Sequence, residues 1–370
     1  MEFSIKTSIK LFDTFDDFWQ AYLPNCHDLI LTNEYVLKPY LVNRTFSCQI
    51  IYQERFGSGE PNDEMIDGIL EAIENKTIDR VFAIGGGTIL DMGKLLIFDG
   101  CHRCVDIFQH GKTLPKKRKL IAIPTTCGTG SEVTNISIAE IRRLQTKMGL
   151  VATQLYPDEA VLIPSMLNSL PYSVFACSSI DALIHAMEAY VSNKATPFSD
   201  IYAEAAIRMI IPAYRHVIKA LQDQQPIVPY MKEFQIASTM AGIAFGNAGC
   251  GVVHALSYPI GATFHVPHGK ANYLLLSACF QMYKKKQVDL SRLECLLATV
   301  LQTSPHQVWD ELTKLLDLIL PREPLENVGV TQTHVNEFPK IVLSTQQRLL
   351  GNMPTTLNEE NIRSIYLECM

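Results

Sequence analysis

The chain has 370 residues, too many for one ordinary core and enough for two domains of roughly 150 to 200 residues with a cleft between them. Apolar residues make up 47% and charged residues 19%, the balance of a folded protein, which excludes a disordered or low-complexity chain. A formal net charge of −6 gives no long-range attraction for nucleic acid or anionic lipid, so neither is expected as a partner.

The opening Met1-Glu2-Phe3-Ser4-Ile5-Lys6 has no basic segment leading into an apolar stretch and a small-residue cleavage site, which predicts a cytoplasmic protein. From there to about residue 165, short apolar runs alternate with amphipathic stretches, the pattern of an α/β layer with a largely parallel sheet. Strands are predicted at 29–32, 47–52, 80–84, 120–123 and 160–163, with helices at 64–73 and 89–98 between them. Cys101 and Cys104 form a lone C-x-x-C without the second pair of a zinc ribbon, and the ten cysteines, scattered over a long chain, are expected as reduced thiols. The basic run Lys116-Lys117-Arg118-Lys119 is predicted to be a solvated loop. Pro164 and Pro171 punctuate the chain, and beyond them 173–191, 200–221 and 231–244 have helical spacing. The expected division is an α/β domain over 1–165 and an all-helical domain over 166–370. The longest apolar runs, such as 95–98 and 274–276, fall short of the roughly 20 residues that cross a bilayer, so no membrane is expected as a partner.

In the first half, Val81-Phe82-Ala83-Ile84 runs into Gly85-Gly86-Gly87 and a helix start at Thr88. Glycines let a phosphate approach the backbone, and the amides and positive dipole end of the helix stabilise its charge. Leu90 stands where the third glycine of the common G-x-G-x-x-G fingerprint would be, so the loop by itself fits a tight turn as well as a phosphate cradle. A second loop, Pro124-Thr125-Thr126-Cys127-Gly128-Thr129-Gly130-Ser131-Glu132, follows strand 120–123. Open parallel sheets bind ligands at the carboxyl ends of their strands, so two such loops point to one shared site, although hydroxyls also serve local turns and caps.

In the second half, Asp181 and His185 stand four residues apart in an apolar helical window and project from one face. His254 and His268 add two imidazoles among apolar residues and glycines. One such histidine is more often a satisfied core residue than a ligand, and Asp181 with His185 also fits a helical polar pair. Three imidazoles and a carboxylate together suit Fe²⁺ or Zn²⁺ with a position left open for a substrate oxygen.

The glycine loop, the Pro124–Glu132 loop, the helix Asp181–His185 continuing as Ala186-Met187-Glu188-Ala189-Tyr190-Val191-Ser192, and the segment from His254 to His268 follow one another as in iron-containing alcohol dehydrogenases, which this chain resembles over nearly its whole length. The resemblance implies an N-terminal dinucleotide-binding α/β domain and a C-terminal all-helical metal-binding domain, with a nicotinamide cofactor and iron or zinc. It carries metal ligation onto Asp181, His185, His254 and His268, and cofactor contacts onto Gly86, Gly87, Thr88, Asp91, Thr125, Thr126 and Lys147. His265 matches a family histidine near substrate and nicotinamide and is the candidate to pass the alcohol proton to solvent; holding the ligand loop is the alternative. Within the family, Thr32-Asn33-Glu34-Tyr35, Gly59-Glu60-Pro61, residues 241–249 and Gln346-Gln347-Arg348-Leu349-Leu350 resemble the branch of 4-hydroxybutyrate dehydrogenases.

The expected reaction is hydride exchange between a small alcohol or aldehyde and the cofactor, with 4-hydroxybutyrate and succinate semialdehyde as the pair implied by the branch. A buried substrate carboxylate needs a cationic partner, for which Arg348 is the candidate, although a surface arginine fits that polar stretch too. Many relatives carry an aspartate after the first strand to bind the ribose 2′-hydroxyl; this chain departs from them with Asn33 followed by Glu34, whose carboxylate would favour NAD over NADP. A homo-oligomer, a dimer, is expected. A non-redox lyase of the dehydroquinate-synthase type is the rival, but the basic side chains needed for a phosphorylated polyol are sparse around the metal segments. A non-catalytic metal and nucleotide binder is disfavoured, because an open metal position has little value as structure.

Overall fold

In the computed structural model, which describes residues 2–41, 47–142 and 146–370, the apolar runs of the first half pair into one sheet. Its strands are β1 (Ser8–Leu11), β2 (Asp28–Thr32), β3 (Gln49–Tyr52), β4 (Arg80–Gly85), β5 (Lys119–Pro124) and a last strand at Glu159–Leu162. Between β5 and that last strand, β6 (Ile136–Ile141) and β7 (Thr146–Val151) form a separate antiparallel pair, which makes the last strand β8. The sheet order is β1-β8-β5-β4-β2-β3, with every neighbouring pair parallel. Parallel sheets are covered on both faces, so their central strands are apolar at every position rather than at alternate ones. Leu29 to Leu31, Val81 to Ile84 and Leu120 to Ile123 are accordingly all buried.

Helices α1 (Phe15–Tyr22), α2 (Glu34–Leu37), α3 (Asp63–Ile73), α4 (Gly87–Leu95) and α5 (Cys104–His110) complete this unit. The pleat sends Leu29, Leu31, Val81 and Ala83 into one core with Ile66 and Ile69 of α3 and Leu90 of α4. It sends Ile30, Phe82 and Ile84 into another with Phe15 and Phe18 of α1. Each of these side chains larger than Ala83 contributes about 1.5–3 kcal/mol through burial, and a slip of one residue would exchange the two faces. Three strands escape prediction. β1 is an exposed edge strand, and β6 and β7 are six-residue strands that pair only with each other, β6 alternating with a period of two.

The basic run at 116–119 is not a solvated loop throughout. Arg118 is buried, and its guanidinium donates to Leu96 O (2.9 Å), Phe98 O (2.6 Å) and Asp99 Oδ1 (2.5 Å). It thereby satisfies carbonyls left open beyond the end of α4, which its charge also favours. None of the ten cysteines forms a disulfide, Cys101 and Cys104 included.

The division between the two compact units falls between Leu170 and Pro171, and the residues up to Ser4 belong with the second unit. There Ser4 N donates to Asn247 Oδ1 (2.8 Å), and Phe3 stacks on Phe198. The second unit contains α6 (Tyr172–Val191), α7 (Pro197–Gln222), α8 (Met231–Ala248), α9 (Val252–Phe264), α10 (His268–Lys285), α11 (Ser291–Leu301), α12 (Val308–Ile319), α13 (Gln332–Thr345), α14 (Gln347–Leu350) and α15 (Glu359–Glu368). Local signals set several of these ends: Thr196 and Ser199 form a capping box at α7 with Pro197 in its first turn. α6 is long and apolar enough to cross a membrane, but 78% of that stretch is buried among the other helices, so it is the core helix of the unit.

Candidate functional site

On α6, Asp181, His185 and Glu188 recur at the fourth and seventh positions and therefore share one helix face, which is buried. α10 crosses that face closely because of Gly269, where a Cβ would lie 1.9 Å from Cys177 O on α6. This approach brings His268 and Asn272, one turn apart on α10, to Asp181. Asp181 Oδ1 lies 3.5 Å from His254 Nε2 and 3.9 Å from His268 Nε2, while Asp181 Oδ2 lies 3.9 Å from His185 Nδ1. Ligand atoms of Asp181, His254 and His268 lie within 4.8 Å of one another. The four residues expected to ligate metal thus meet around one carboxylate. The imidazoles of His185 and His254 stack with centroids 4.4 Å apart, and Phe245 covers the His185 ring at 4.2 Å.

Glu188 orients this cluster. Its Oε2 is 2.5 Å from His254 Nδ1, and its Oε1 accepts from Val253 N at 2.7 Å, in the first turn of α9. With Glu188 engaging Nδ1, the ring turns its Nε2 toward Asp181 and the other imidazoles. That Nε2 is buried and has no hydrogen-bond partner among the described residues. Burial works against charge on His254, but the carboxylates of Asp181 and Glu188 overcome it and raise the group to about 9. Burial likewise pushes Asp181 up, and the surrounding histidines hold it well below the usual carboxylate range instead. The cluster therefore attracts positive charge and presents nitrogen and oxygen donors in the geometry of a divalent metal site, which the residues present fit.

Asn272 Nδ2 donates to Asp181 Oδ1 (2.7 Å) and lies 3.3 Å from His268 Nε2, bracing both. His265 follows α9 with a left-handed backbone (φ 54°) and is exposed, near His268 in sequence but outside the buried cluster. Arg348, on α14, is exposed, and its charge acts on the Cys250 thiol beside the cluster.

In the α/β unit the two loops after β4 and β5 join, as Thr125 N donates to Gly85 O at 3.0 Å. Gly86 caps α4, whose ladder begins with Leu90 N to Gly86 O. The amides of Gly87, Thr88 and Ile89 precede that ladder and have no intrahelical acceptor, as an anion site requires. Gly86, Gly87, Thr88 and Thr126 stay partly accessible while Thr125 is buried. Asp91 faces the other way: Oδ1 accepts from Ser131 Oγ (2.5 Å) and Oδ2 from Ile138 N (3.1 Å). It shares Ser131 with Lys94, a fully buried lysine whose Nζ donates to Ser131 Oγ (2.6 Å), Thr134 Oγ1 (3.2 Å) and Ile136 O (2.6 Å). Burial lowers the Lys94 ammonium from its ordinary value, partly offset by Asp91 and Glu132. Lys147, on β7, pairs with Glu60. At the end of β2, Asn33 Nδ2 donates to Gln53 Oε1 (2.9 Å), and Glu34 N is capped by the Glu54 carboxylate (3.0 Å). The Glu34 side chain is exposed and 3.7 Å from Lys38.

Glu188, Asn272 and Lys94 were not singled out in the sequence, although helical spacing from His185, His268 and Asp91 would have found them. Cys250 has no such signal.

The profile of the iron-containing alcohol dehydrogenase family matches residues 23–164, and that of the C-terminal part of the Fe-containing alcohol dehydrogenase family matches residues 175–370. The chain is 42% identical over 357 residues to a 4-hydroxybutyrate dehydrogenase of Clostridium kluyveri, covering 96% of each. It is 34% identical over 361 residues to long-chain-alcohol dehydrogenase 1 of Geobacillus thermodenitrificans, covering 92% of this chain and 88% of that one. Among solved structures, 1,3-propanediol oxidoreductase has the same fold, with a TM-score of 0.86 at 23% identity over 100% of this chain and 99% of that chain. An iron-containing alcohol dehydrogenase of Thermococcus thioreducens superposes with a TM-score of 0.80 at 25% identity, over 100% of this chain and 99% of that one. With both halves matched, and Asp181 set among three histidines, the chain belongs to the iron-containing alcohol dehydrogenase family and is an oxidoreductase acting on CH–OH groups.

Proposed function

We propose that the chain interconverts 4-hydroxybutyrate and succinate semialdehyde with NAD, using Fe²⁺ or, alternatively, Zn²⁺ held by Asp181, His185, His254 and His268. The observation that carries the metal reading is the buried Nε2 of His254, which makes no hydrogen bond among the described residues and is aimed at Asp181 with Glu188 behind the ring. The substrate reading is supported by the 42% identity to a 4-hydroxybutyrate dehydrogenase. When bound, the metal supplies Lewis acidity toward the alcohol or aldehyde oxygen, and the nicotinamide takes or gives the hydride.

The protein's own groups do the rest. Gly86, Gly87 and Thr88 offer amides to the cofactor phosphates, Thr125 and Thr126 line the adjoining loop, and Lys147 adds a cation. Asp91 and Lys94 stiffen the loops from behind through Ser131. Glu34, with Glu54 beside it, presents negative charge at the end of β2 and disfavours a 2′-phosphate. His265, exposed at the end of α9, passes the substrate proton to solvent. Arg348 pairs with the far carboxylate of the substrate; its field at Cys250 supports that role. The chain works as a homodimer, supported by the open sheet edge at β1, where Ile9 and Leu11 are exposed. Sedimentation as a monomer would overturn this last point.

Turnover with NADH tests the substrate. Losing a charge-assisted hydrogen bond costs about 1.5–3 kcal/mol, so Arg348→Ala should lower kcat/KM on succinate semialdehyde roughly ten- to a hundredfold and leave butanal nearly unchanged. Equal losses on both aldehydes would return Arg348 to a structural role. Butanal outperforming succinate semialdehyde in the unmodified enzyme would sink the substrate assignment.

A further inference from the structure

Gly249-Cys250-Gly251 links α8 to α9 beside the proposed metal centre, and Cys250 is buried there. The turn is built to hold it. Gly249 has φ +80°, and a Cβ on it would lie 2.3 Å from Asn352 Nδ2. That same Nδ2 donates to Cys250 O at 2.8 Å. Ser192 Oγ, just past the end of α6, donates to Ala248 O (2.6 Å) and lies 3.0 Å from Asn352 O. On the other side of the turn, Glu188 accepts from Val253 N. Cys250 is thus tied to the same helix that carries Asp181 and His185.

A buried cysteine is ordinarily a small core hydrophobe. This one differs in its neighbours. Ligand atoms of His185, Cys250 and His254 all lie within 4.8 Å of one another, and all three residues are buried. A Zn–N bond of about 2.0–2.1 Å and a Zn–S bond of about 2.3 Å span such a trio after small side-chain rotations. The shared member, His254, has its Nδ1 engaged by Glu188, while its buried Nε2 makes no hydrogen bond among the described residues.

We propose that Cys250, His185 and His254 form a thiophilic face of the metal centre that takes a soft divalent cation such as Zn²⁺ or Cd²⁺ with the Cys250 sulfur as ligand. The proposal rests on the metal site proposed above. The centre then has two faces that share His254. Asp181, His254 and His268 present a carboxylate and imidazoles, the harder set, while the Cys250 face adds sulfur, which favours softer ions. Ligation breaks the S–H bond, the proton leaves to bulk water, and the sulfur electron pair forms the bond to the cation with no change in oxidation state. A cation drawn to this face exchanges an open position for a sulfur ligand, so the cysteine discriminates between metals.

The test uses the full chain, demetallated and reloaded with Co²⁺, as the unmodified protein and as Cys250→Ser and Cys250→Ala. The unmodified protein should bind Co²⁺ with a near-ultraviolet sulfur-to-cobalt charge-transfer band. Both variants should bind Co²⁺ through the remaining ligands and lose that band. X-ray absorption of the Zn²⁺-loaded protein should find one sulfur at about 2.3 Å, absent in both variants. Cobalt bound equally by all three proteins without a sulfur band overturns the thiophilic face and leaves the metal centre standing. No stoichiometric Co²⁺ in any of them overturns both.

Discussion

Glu188→Gln separates orientation of the metal centre from mere packing. Glu188 accepts two buried charge-assisted bonds, from His254 Nδ1 at 2.5 Å and from Val253 N at 2.7 Å. Glutamine has nearly the same volume but no charge, and only one of its two terminal atoms accepts. It keeps one bond, in weakened form, and places an NH₂ opposite the other donor. Losing one bond to a charged group costs about 1.5–3 kcal/mol of stability. Loss of a carboxylate behind a ligating histidine weakens metal binding about ten- to a hundredfold, or about 1.4–2.7 kcal/mol. The two effects are of similar size because the same hydrogen bond carries both. Thermal unfolding of the metal-free protein measures the first, and competition with a chelator measures the second. If Glu188→Gln unfolds at a lower temperature yet binds metal as tightly as the unmodified protein, Glu188 packs the core without aiming His254, and the argument fails.

His185→Ala and His268→Ala should each abolish bound metal and turnover together, checked by metal analysis and NADH oxidation; full activity in a thoroughly demetallated sample would refute metal dependence. Glu34→Gln should raise kcat/KM with NADP by at least roughly tenfold, the factor that about 1.4 kcal/mol of relieved repulsion gives, while leaving NAD within about twofold; no change would show that Glu34, with Lys38 as its neighbour, points away from the ribose. Asp317 is pushed up by burial but held below its ordinary value of 3.8 by hydrogen bonds from Arg322 and Tyr273. A depressed carboxylate stabilises the fold fully above its unfolded value and loses that contribution as pH falls through its lower folded value. Asp317→Asn should therefore lower Tm at neutral pH and flatten its decline below pH 4, and an unchanged acid limb would refute the assignment.

Local periodicity made several parts of this protein legible in the sequence. The central strands β2, β4 and β5 are apolar throughout because both faces are covered, and five of the six strands of the main sheet follow from such runs. The glycine loop before α4 and the pairing of Asp181 with His185 on α6 are likewise properties of single segments, set by backbone geometry and helical spacing. Tertiary structure decided what those segments meet. Arg118 belongs to a basic run that reads as solvated, and only the approach of the residues after α4 buries its guanidinium against their carbonyls. β1 is a strand only because β8 offers it an edge. Glu188 lies within helical spacing of His185, but its partner His254 comes from α9, and nothing in the spacing within α6 specifies that pairing. Cys250 reaches the histidines because a left-handed glycine and Asn352 shape its turn. Asp181 meets His268 because Gly269 lets α6 and α10 touch backbone to backbone. Helical and strand periods arise from bonds within a few residues, whereas a ligand set drawn from three helices exists only once their packing has chosen which faces touch.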